Sequence, residues 1–181
     1  MKKTIVIYSS NYGSTKKYAE WIIEDLNGDI IDIKDSGKNN LSAYDTIILG
    51  SGLYAGNIKG INLLVSNYDK IKEKKIVIFT CGLADYSQVE HINTIHKRLE
   101  KQIPKNILEI TKIFCLRGGI DYKGLNLIHK IMMGTMKKMI EKKGLDKLNE
   151  EDKEFLATYG QTLDFTDRGS IRELIEYCNK N

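Results

Sequence analysis

Short apolar runs alternate with amphipathic stretches along most of this chain. The runs predict five strands, at Thr4–Tyr8, Asp29–Ile33, Thr46–Gly50, Lys75–Thr80 and Ile110–Leu116. Ala19, Ile22, Ile23 and Leu26 recur at helical spacing and predict a first helix that already includes Lys16 and Lys17. The same spacing predicts helices at Ile58–Tyr68 and Val89–Gln102. This alternation predicts an α/β fold with a doubly wound five-stranded parallel sheet, in the order 2-1-3-4-5.

The last third of the chain adds elements to this pattern. An extra helix after strand five is predicted over residues 125–143, and its apolar face comprises Leu125, Ile128, Met132, Met136 and Met139. A polar stretch, Leu145–Gly160, follows, and a final helix is predicted at Ser170–Asn179.

Length and composition indicate a single domain over residues 1–181, with 41% hydrophobic and 29% charged residues. The apolar run after Lys2 and Lys3 is too short for a signal peptide, and no run approaches the ~18 residues of a membrane span. Three widely spaced cysteines form no metal-ligand pattern. We therefore expect a cytoplasmic protein with reduced thiols and no transmembrane segment.

Positive charge is concentrated in one segment. The net charge is +4, yet residues 123–143 alone hold six lysines and one acid, Glu141. The segment lacks interleaved aromatic residues, so it does not indicate binding to nucleic acid. Two interpretations stay open for Leu125–Lys143. It is either an amphipathic helix packed on its own domain, or a docking face for an anionic membrane or an acidic redox partner.

The loop between the first strand and the first helix has the pattern of an anion site. It comprises Ser9, Ser10, Asn11, Tyr12, Gly13, Ser14 and Thr15, which are polar or glycine apart from the amphipathic tyrosine. Where a strand runs directly into a helix, free backbone amides and the helix dipole favour an anion. The loop lacks the lysine of a Walker loop, which indicates one terminal phosphate held by neutral donors.

Two further loops follow strands three and four, at the edge of the sheet where ligands of this fold bind. Their sequences are SGLYAGN, residues 51–57, and CGLADY, residues 81–86. A flat ring fits between them, with Tyr54 as the candidate for stacking. Residues 50–55 also match a dinucleotide fingerprint, but the next strand ends without the acid that binds a ribose.

At the first loop the chain resembles the flavodoxin family. The family's N-terminal signature fixes eight residue classes over seventeen positions, which are met by Val6, Ile7, Tyr8, Ser10, Gly13, Thr15, Ala19 and Ile22. The resemblance implies flavin mononucleotide (FMN) as cofactor and electron transfer as function. It implies cofactor contacts from Ser9–Thr15, from Gly52, Leu53, Tyr54, Ala55, Gly56 and Asn57, and from Cys81, Gly82 and Leu83.

The last third is similar to the menaquinone-dependent protoporphyrinogen oxidase branch of that superfamily. The similarity lies in Arg117–Tyr122, in the helix at 125–143 and in Phe165-Thr166-Asp167. It implies an FMN-dependent oxidase that passes electrons to a quinone, with a substrate pocket near Arg117–Tyr122. The chain departs from the branch after strand four, because Gly82–His96 contains no lysine or arginine where the branch has a long basic insertion.

Three functions therefore stay open. The first is FMN-dependent electron transfer to a redox partner protein or a quinone, and the second is a quinone-linked oxidoreductase of the protoporphyrinogen type. The third is a scaffold that has lost flavin and only binds partners. No side chain is predicted as a nucleophile or a general acid, and the three histidines show no metal-ligand spacing.

Overall fold

The structure is a computed structural model, and it describes residues 3–38, 40–54, 57–86 and 89–180. Contacts divide the chain into two compact units. The first comprises residues 1–118 and 166–181, and the second comprises residues 119–165. The single domain predicted from length over residues 1–181 stays a prediction.

The elements follow one another in the predicted alternation. The strands are β1 (Thr4–Ser9), β2 (Asp29–Asp32), β3 (Thr46–Gly52), β4 (Lys75–Gly82), β5 (Thr111–Arg117), β6 (Gly119–Asp121) and β7 (Thr162–Asp164). The helices are α1 (Ser14–Leu26), α2 (Ile61–Ser66), α3 (Tyr68–Ile71), α4 (Val89–Glu100), α5 (Lys105–Glu109), α6 (Leu127–Glu141), α7 (Glu150–Thr158) and α8 (Arg172–Asn179). Short 3-10 helices lie at Ile33–Lys38, Leu41–Ala43, Leu145–Lys147 and Arg168–Ile171.

The first unit contains a five-stranded sheet in the order β2-β1-β3-β4-β5. Every neighbouring pair of strands in it is parallel. The predicted fold class and strand order are therefore confirmed, as is an extra helix, α6, after the fifth strand.

Alternate residues of each strand enter two apolar cores, one on each face of the sheet. The first core takes Ile5 and Ile7 from β1 and the second takes Val6; β3 and β4 divide their apolar residues in the same way. Leu64 of α2 and Leu99 of α4 close the first core. The second core is closed by residues of α1 and α8, among them Ile22 and Leu174. Because helices cover both faces of the sheet, the strand sequences are nearly continuous runs of apolar residues.

Lys75, at the start of β4, fixes the C-terminal end of α8. Its Nζ donates hydrogen bonds to the carbonyl oxygens of Tyr177 at 3.0 Å and Cys178 at 3.2 Å, and to that of Lys180. The last carbonyls of a helix have no partner within the helix, and a cation there complements the helix dipole. The burial that accompanies this packing raises the pKa of the Cys178 thiol to about 11.

The helix predicted at Ile58–Tyr68 is wrong in both length and continuity. Two short helices, α2 and α3, occupy this region, and Asn67 lies between them with φ −109° and ψ 9°. The Asn67 side chain donates from Nδ2 to the carbonyl oxygen of Leu63 at 2.9 Å. Asparagine competes for backbone partners in this way, which ends a helix that apolar periodicity alone would continue.

The second unit combines a two-stranded antiparallel sheet with two helices. β6 pairs with β7, and Ile120 lies opposite Leu163. α7 falls in the stretch that the sequence analysis gave only as polar. Its start carries a capping box, in which Asn149 Oδ1 accepts from the Asp152 amide at 2.8 Å and Asp152 Oδ2 accepts from the Asn149 amide at 3.3 Å.

The apolar face predicted for α6 is not buried as one surface. Leu125, just before the helix, and Ile140 are buried, but Ile128 is 75% exposed and Met139 is 65% exposed. The buried side of the helix lies elsewhere, next to Tyr159, whose ring centroid is 4.9 Å from the Lys137 Nζ. Ile128 and Met139 of the predicted apolar face are therefore exposed, and the choice between the two interpretations of Leu125–Lys143 stays open.

Candidate functional site

Parallel pairing brings the carboxyl ends of four strands to one edge of the sheet. Ser9 of β1 lies opposite Ser51 of β3, Gly52 lies opposite Cys81 of β4, and Gly82 lies opposite Arg117 of β5. The loops that leave these ends therefore start side by side. Ligands of doubly wound sheets bind at this edge.

The loop after β1 makes a tight turn into α1. The Gly13 amide donates to the Ser10 hydroxyl oxygen at 3.0 Å. Gly13 has φ 98° and ψ −34°, a conformation that residues with a side chain rarely adopt. The glycine in the sequence motif is thus required by the backbone at the point where the loop becomes a helix.

The N-cap residue of α1 supplies no side-chain cap to the first turn of the helix. Gly13 precedes the helix and has no side chain to accept from it, and the first turn contains no acidic residue. The first N–H groups of a helix have no partner within the helix, so this end favours an anion. Thr15, in the first turn, is 2% exposed.

The two lysines next to this loop form contacts away from the loop. Lys16 pairs with Glu20 at 3.6 Å, one turn further on. The Lys17 ammonium donates to the Thr166 hydroxyl at 2.7 Å and lies 5.1 Å from the ring centroid of Trp21. The donors of the loop itself are therefore neutral, as its sequence indicates.

Tyr54 connects the loop after β3 to the loop after β1. Its hydroxyl accepts a hydrogen bond from the Asn11 amide at 3.1 Å. Its ring lies edge-on to Tyr12, with centroids 6.0 Å apart. The ring also covers Gly52, since a Cβ at that glycine would lie 2.8 Å from the ring. Burial raises the pKa of the Tyr54 hydroxyl, so it stays protonated at neutral pH.

The loop that carries Tyr54 folds back on itself. The Tyr54 amide donates to the Asn57 carbonyl at 3.2 Å, and the Asn57 amide donates to the Tyr54 carbonyl at 3.0 Å. Ala55 and Gly56, which the sequence analysis assigned to the cofactor, lie outside the described residues. Leu53 adjoins the next loop, because its amide donates to the Cys81 carbonyl at 2.8 Å.

The loop after β4 is tightly packed. Cys81 is 6% exposed. A Cβ at Gly82 would lie 2.5 Å from the Tyr86 hydroxyl, so only glycine fits there without a shift of that ring. The carbonyl oxygen of Leu83 accepts a hydrogen bond from Arg117 Nε at 3.1 Å. Cys81, Gly82 and Leu83 are thus held against the end of β5.

Gly118 is a component of this edge that the sequence analysis did not assign to the cofactor. Its amide donates to the Gly82 carbonyl at 2.6 Å. A Cβ at Gly118 would lie 2.7 Å from Cys81 Sγ and 3.3 Å from Ser14 Cβ. Because it has no side chain, Gly118 can lie against both Cys81 at the end of β4 and Ser14 at the start of α1. The signal for it was the glycine pair that follows strand five in the sequence.

Tyr18 is a second component that sequence reasoning missed. It lies in α1 with no exposed surface, and its hydroxyl donates to the Arg117 carbonyl at 2.7 Å. The same hydroxyl accepts from the Asp167 amide at 3.0 Å. Burial raises its pKa. In the sequence, Tyr18 has the pattern of an ordinary buried position in an amphipathic helix. No local signal therefore indicates that its hydroxyl connects Arg117 and Asp167.

The residues assigned to the cofactor from sequence thus lie close together wherever the structure describes them. Direct contacts join the first loop to Tyr54, the Tyr54 loop to Cys81, and the Cys81 loop to the end of β5. Their role in binding a cofactor stays a prediction.

Comparisons with known proteins give the family. A family model described as flavodoxin domain matches residues 5–147. An uncharacterised protein of Methanocaldococcus jannaschii is 29% identical over 67% of this chain and 79% of its own length. A flavodoxin of Maridesulfovibrio salexigens is 26% identical over 56% of this chain and 78% of its own length.

Among solved structures, oxidised flavodoxin 2 from Bacillus cereus is 22% identical to this chain. The match covers 64% of this chain and 85% of that one, with a TM-score of 0.38. The family assignment rests on the family model, which spans the strands of the sheet and the loops that meet at its edge. The chain belongs to the flavodoxin-domain family.

Proposed function

We propose that this protein binds FMN at the edge formed by the loops after β1, β3 and β4, and that it acts in electron transfer. The observation that carries the proposal is the start of α1, where a glycine with positive φ leads into a helix turn with no side-chain cap and no acid. An anion is the ligand that such a turn favours. A terminal phosphate on an uncharged ring system fits the neutral donors around it.

The hydrogen bonds in the first loop indicate which donors would hold the phosphate. The Asn11 amide donates to Tyr54 and the Gly13 amide donates to Ser10. The proposal therefore assigns the phosphate to the amides of Thr15 and Lys16 in the first turn of α1, with the Ser10 and Thr15 hydroxyls.

The ring of FMN would be held by the loops after β3 and β4. Residues 52–57 and Cys81, Gly82 and Leu83 are the proposed contacts, with Tyr54 as the aromatic neighbour. FMN supplies one- and two-electron redox chemistry, and the protein binds and orients it. A redox partner protein in the cytoplasm, or a quinone held in a membrane leaflet, would complete the proposed electron transfer.

The test compares FMN with riboflavin, which has the same ring but no phosphate. Fluorescence titration of the cofactor-stripped protein is expected to give tight binding of FMN and much weaker binding of riboflavin. Thr15→Ala removes a charge-assisted hydrogen bond of roughly 1.5–3 kcal/mol, so FMN affinity falls about tenfold to a hundredfold. Riboflavin affinity stays unchanged.

Thr15→Ser is the matched control, because it keeps the hydroxyl and loses only a methyl group. It is expected to bind FMN within about threefold of the native protein. Equal FMN affinity in the native protein and Thr15→Ala would contradict the assignment of the phosphate to this turn. A protein that purifies without colour and binds no added FMN would instead support the flavin-free scaffold.

The quinone-linked oxidase of the protoporphyrinogen type is an alternative that uses the same cofactor. It is separated from simple electron transfer by an anaerobic assay with protoporphyrinogen and menadione. Formation of protoporphyrin at a rate set by protein concentration would favour the oxidase.

A further inference from the structure

The proposed function makes no use of the outer side of α6. Four large apolar side chains are exposed there: Leu127 by 72%, Ile128 by 75%, Ile131 by 61% and Met139 by 65%. At 100° per residue these positions fall within a sector of about 120° on one side of the helix. Single exposed apolar residues are common on protein surfaces, but a contiguous set on one helix face marks an interaction surface.

Two lysines share this sector with the apolar residues. Lys138 and Lys142 are exposed, and neither forms an ion pair among the residues that the structure describes. Other lysines of this segment are engaged elsewhere. The Lys130 ammonium donates to the Lys123 carbonyl at 3.0 Å, and Lys137 pairs with Glu141 at 3.5 Å.

The second unit uses the opposite side of α6 for its own packing. Ile140 is 3% exposed, and Lys137 lies over the ring of Tyr159. Lys137 and Ile128 are nine residues apart, which places them on opposite sides of a helix with 3.6 residues per turn. The acids of α7 lie in a separate helix, where Asp152 pairs with Lys143 at 2.8 Å. The outer side of α6 therefore combines apolar and positive groups.

We propose that this outer side docks on the surface of an anionic phospholipid bilayer, with α6 lying in the plane of the membrane. The docking face is defined as Leu127, Ile128, Ile131, Lys138, Met139 and Lys142. Its apolar side chains would enter the boundary between headgroups and acyl chains, where amphipathic helices bind. Its lysines would lie against anionic headgroups, because their flexible stems let the charge reach the polar layer.

The chemistry of the docking face favours lipid over a second copy of the chain. In a two-fold symmetric dimer the same patch meets itself, so four lysines, two from each copy, would enter one interface to which the docking face brings no acid. Like charges in a desolvated contact are unfavourable. Contact with lipid is peripheral, since no helix in the described part of the chain is long and apolar enough to span a bilayer.

The test is co-sedimentation of the full chain with two kinds of vesicle, phosphatidylcholine alone and phosphatidylcholine mixed with phosphatidylglycerol. The protein is expected to pellet with the mixed vesicles at low salt and to stay in the supernatant with the neutral ones. High salt should reduce binding, because screening shortens the reach of surface charges to a few ångströms at about 1 M.

Charge reversal distinguishes binding through the lysines of the docking face from attraction by the net positive charge of the whole protein. Each lysine near an anionic surface changes the partition coefficient about fivefold, so Lys138→Glu with Lys142→Glu lowers it by at least about 25-fold. The matched control is Lys97→Glu with Lys101→Glu, an exposed pair with the same spacing at the end of α4. The partition coefficient of this control is expected to fall by less than about threefold, because only the net charge of the protein changes.

Removal of the apolar groups gives a second, independent comparison. Ile128→Asn with Ile131→Asn is expected to lower the partition coefficient by at least about tenfold. Val65→Asn with Val89→Asn is the control, since these valines are exposed, by 42% and 63%, outside the docking face. All four variants change exposed side chains, and far-UV circular dichroism checks that they fold.

Two results would overturn the proposal. One is the absence of pelleting with anionic vesicles at low salt, and the other is equal pelleting of the native protein and both docking-face variants. A dimer that dissociates in Ile128→Asn with Ile131→Asn, seen by sedimentation equilibrium without lipid, would also overturn it, because a second copy would then cover the face.

Discussion

The Tyr54 hydroxyl accepts a hydrogen bond from the Asn11 amide, and so closes the loop after β3 onto the loop after β1. The contact joins residues that are 43 positions apart in the chain. It also occupies one amide of the loop that the sequence assigns to a phosphate. Tyr54 therefore has two separable parts, a hydroxyl that ties two loops and a ring that covers Gly52.

Substitution of Tyr54 separates these two parts. Tyr54→Phe keeps the ring and removes the acceptor for the exposed Asn11 amide, which water then satisfies. Under the proposed function, FMN affinity falls less than about tenfold in Tyr54→Phe, because a neutral hydrogen bond contributes about 1 kcal/mol. Tyr54→Ala also loses the aromatic contact and is expected to fall more than tenfold. Fluorescence titration measures both, and equal losses would show that the ring makes no contribution.

Gly13 provides a test of backbone strain with no steric component. Its φ is 98°, and a Cβ at this position would meet no atom within 4 Å. Gly13→Ala is therefore expected to lower the free energy of unfolding by about 1–2 kcal/mol through conformation alone. Urea denaturation measures it. Gly37→Ala is the control, because that Cβ is equally unobstructed and φ is not positive. If Gly13→Ala has the same free energy of unfolding as the native protein, Gly13 does not have a positive φ and the turn adopts another conformation.

The Lys143–Asp152 pair predicts how the stability of the second unit depends on pH. Hydrogen bonds from the Lys143 ammonium hold the pKa of the Asp152 carboxyl below its ordinary value. A lowered pKa in the folded state stabilises the fold above the unfolded pKa of about 3.9, and this contribution is lost as the pH falls through the folded value.

Asp152→Asn removes this charge and is nearly isosteric. Its melting temperature is expected to lie about 1–3 °C below that of the native protein at pH 7, and the difference should close as the pH falls through the lowered pKa of the Asp152 carboxyl. Glu109→Gln is the control, since it breaks an exposed pair at 3.8 Å and is expected to change little at either pH. If the difference in melting temperature between the native protein and Asp152→Asn persists in acid, Asp152 stabilises the protein through the cap of α7 rather than through its charge.

The cysteines are expected to react slowly with thiol reagents. Burial raises the pKa of the Cys178 thiol to about 11 and also raises the pKa of Cys115. At pH 8 only about one Cys178 in a thousand is then a thiolate, and the thiolate is the reactive form. A colorimetric thiol reagent should therefore label the native protein far more slowly than the protein in denaturant, where three thiols react. Fast labelling of a Cys81→Ser, Cys115→Ser variant would contradict the packing of α8.

Apolar periodicity identified all five strands of the parallel sheet but placed the ends of several too early. β1, β3, β4 and β5 each continue one or two residues beyond the predicted end, through positions such as Ser9 and Gly82. Hydrogen bonding to a neighbouring strand keeps these residues extended. This pairing does not depend on apolar side chains, so the hydrophobic pattern of the sequence does not show it. The same residues begin the site loops, so the sheet edge is built from positions that a pattern of apolar residues does not detect.

The second unit was the least predictable part of the chain. β6 and β7 are three residues long and pair across more than forty positions, so no local signal identifies them. α7 carries a recognisable start, because Asn149 and Asp152 have the spacing of a capping box. Among the site residues, sequence placed the loops together by topology, but the contact between Asn11 and Tyr54 depends on side-chain positions that only the fold defines.

The pairing of β6 with β7 has a consequence for the architecture of the chain. Gly119 lies opposite Asp164, so the second unit begins and ends at neighbouring points. A segment whose two ends are paired in this way can be shortened, lengthened or exchanged without stretching the backbone on either side. The distance between its two ends stays the same, because the pairing fixes it. α6 lies between β6 and β7 in the chain, so it can change in length or sequence while the connections of the second unit to the rest of the chain stay the same.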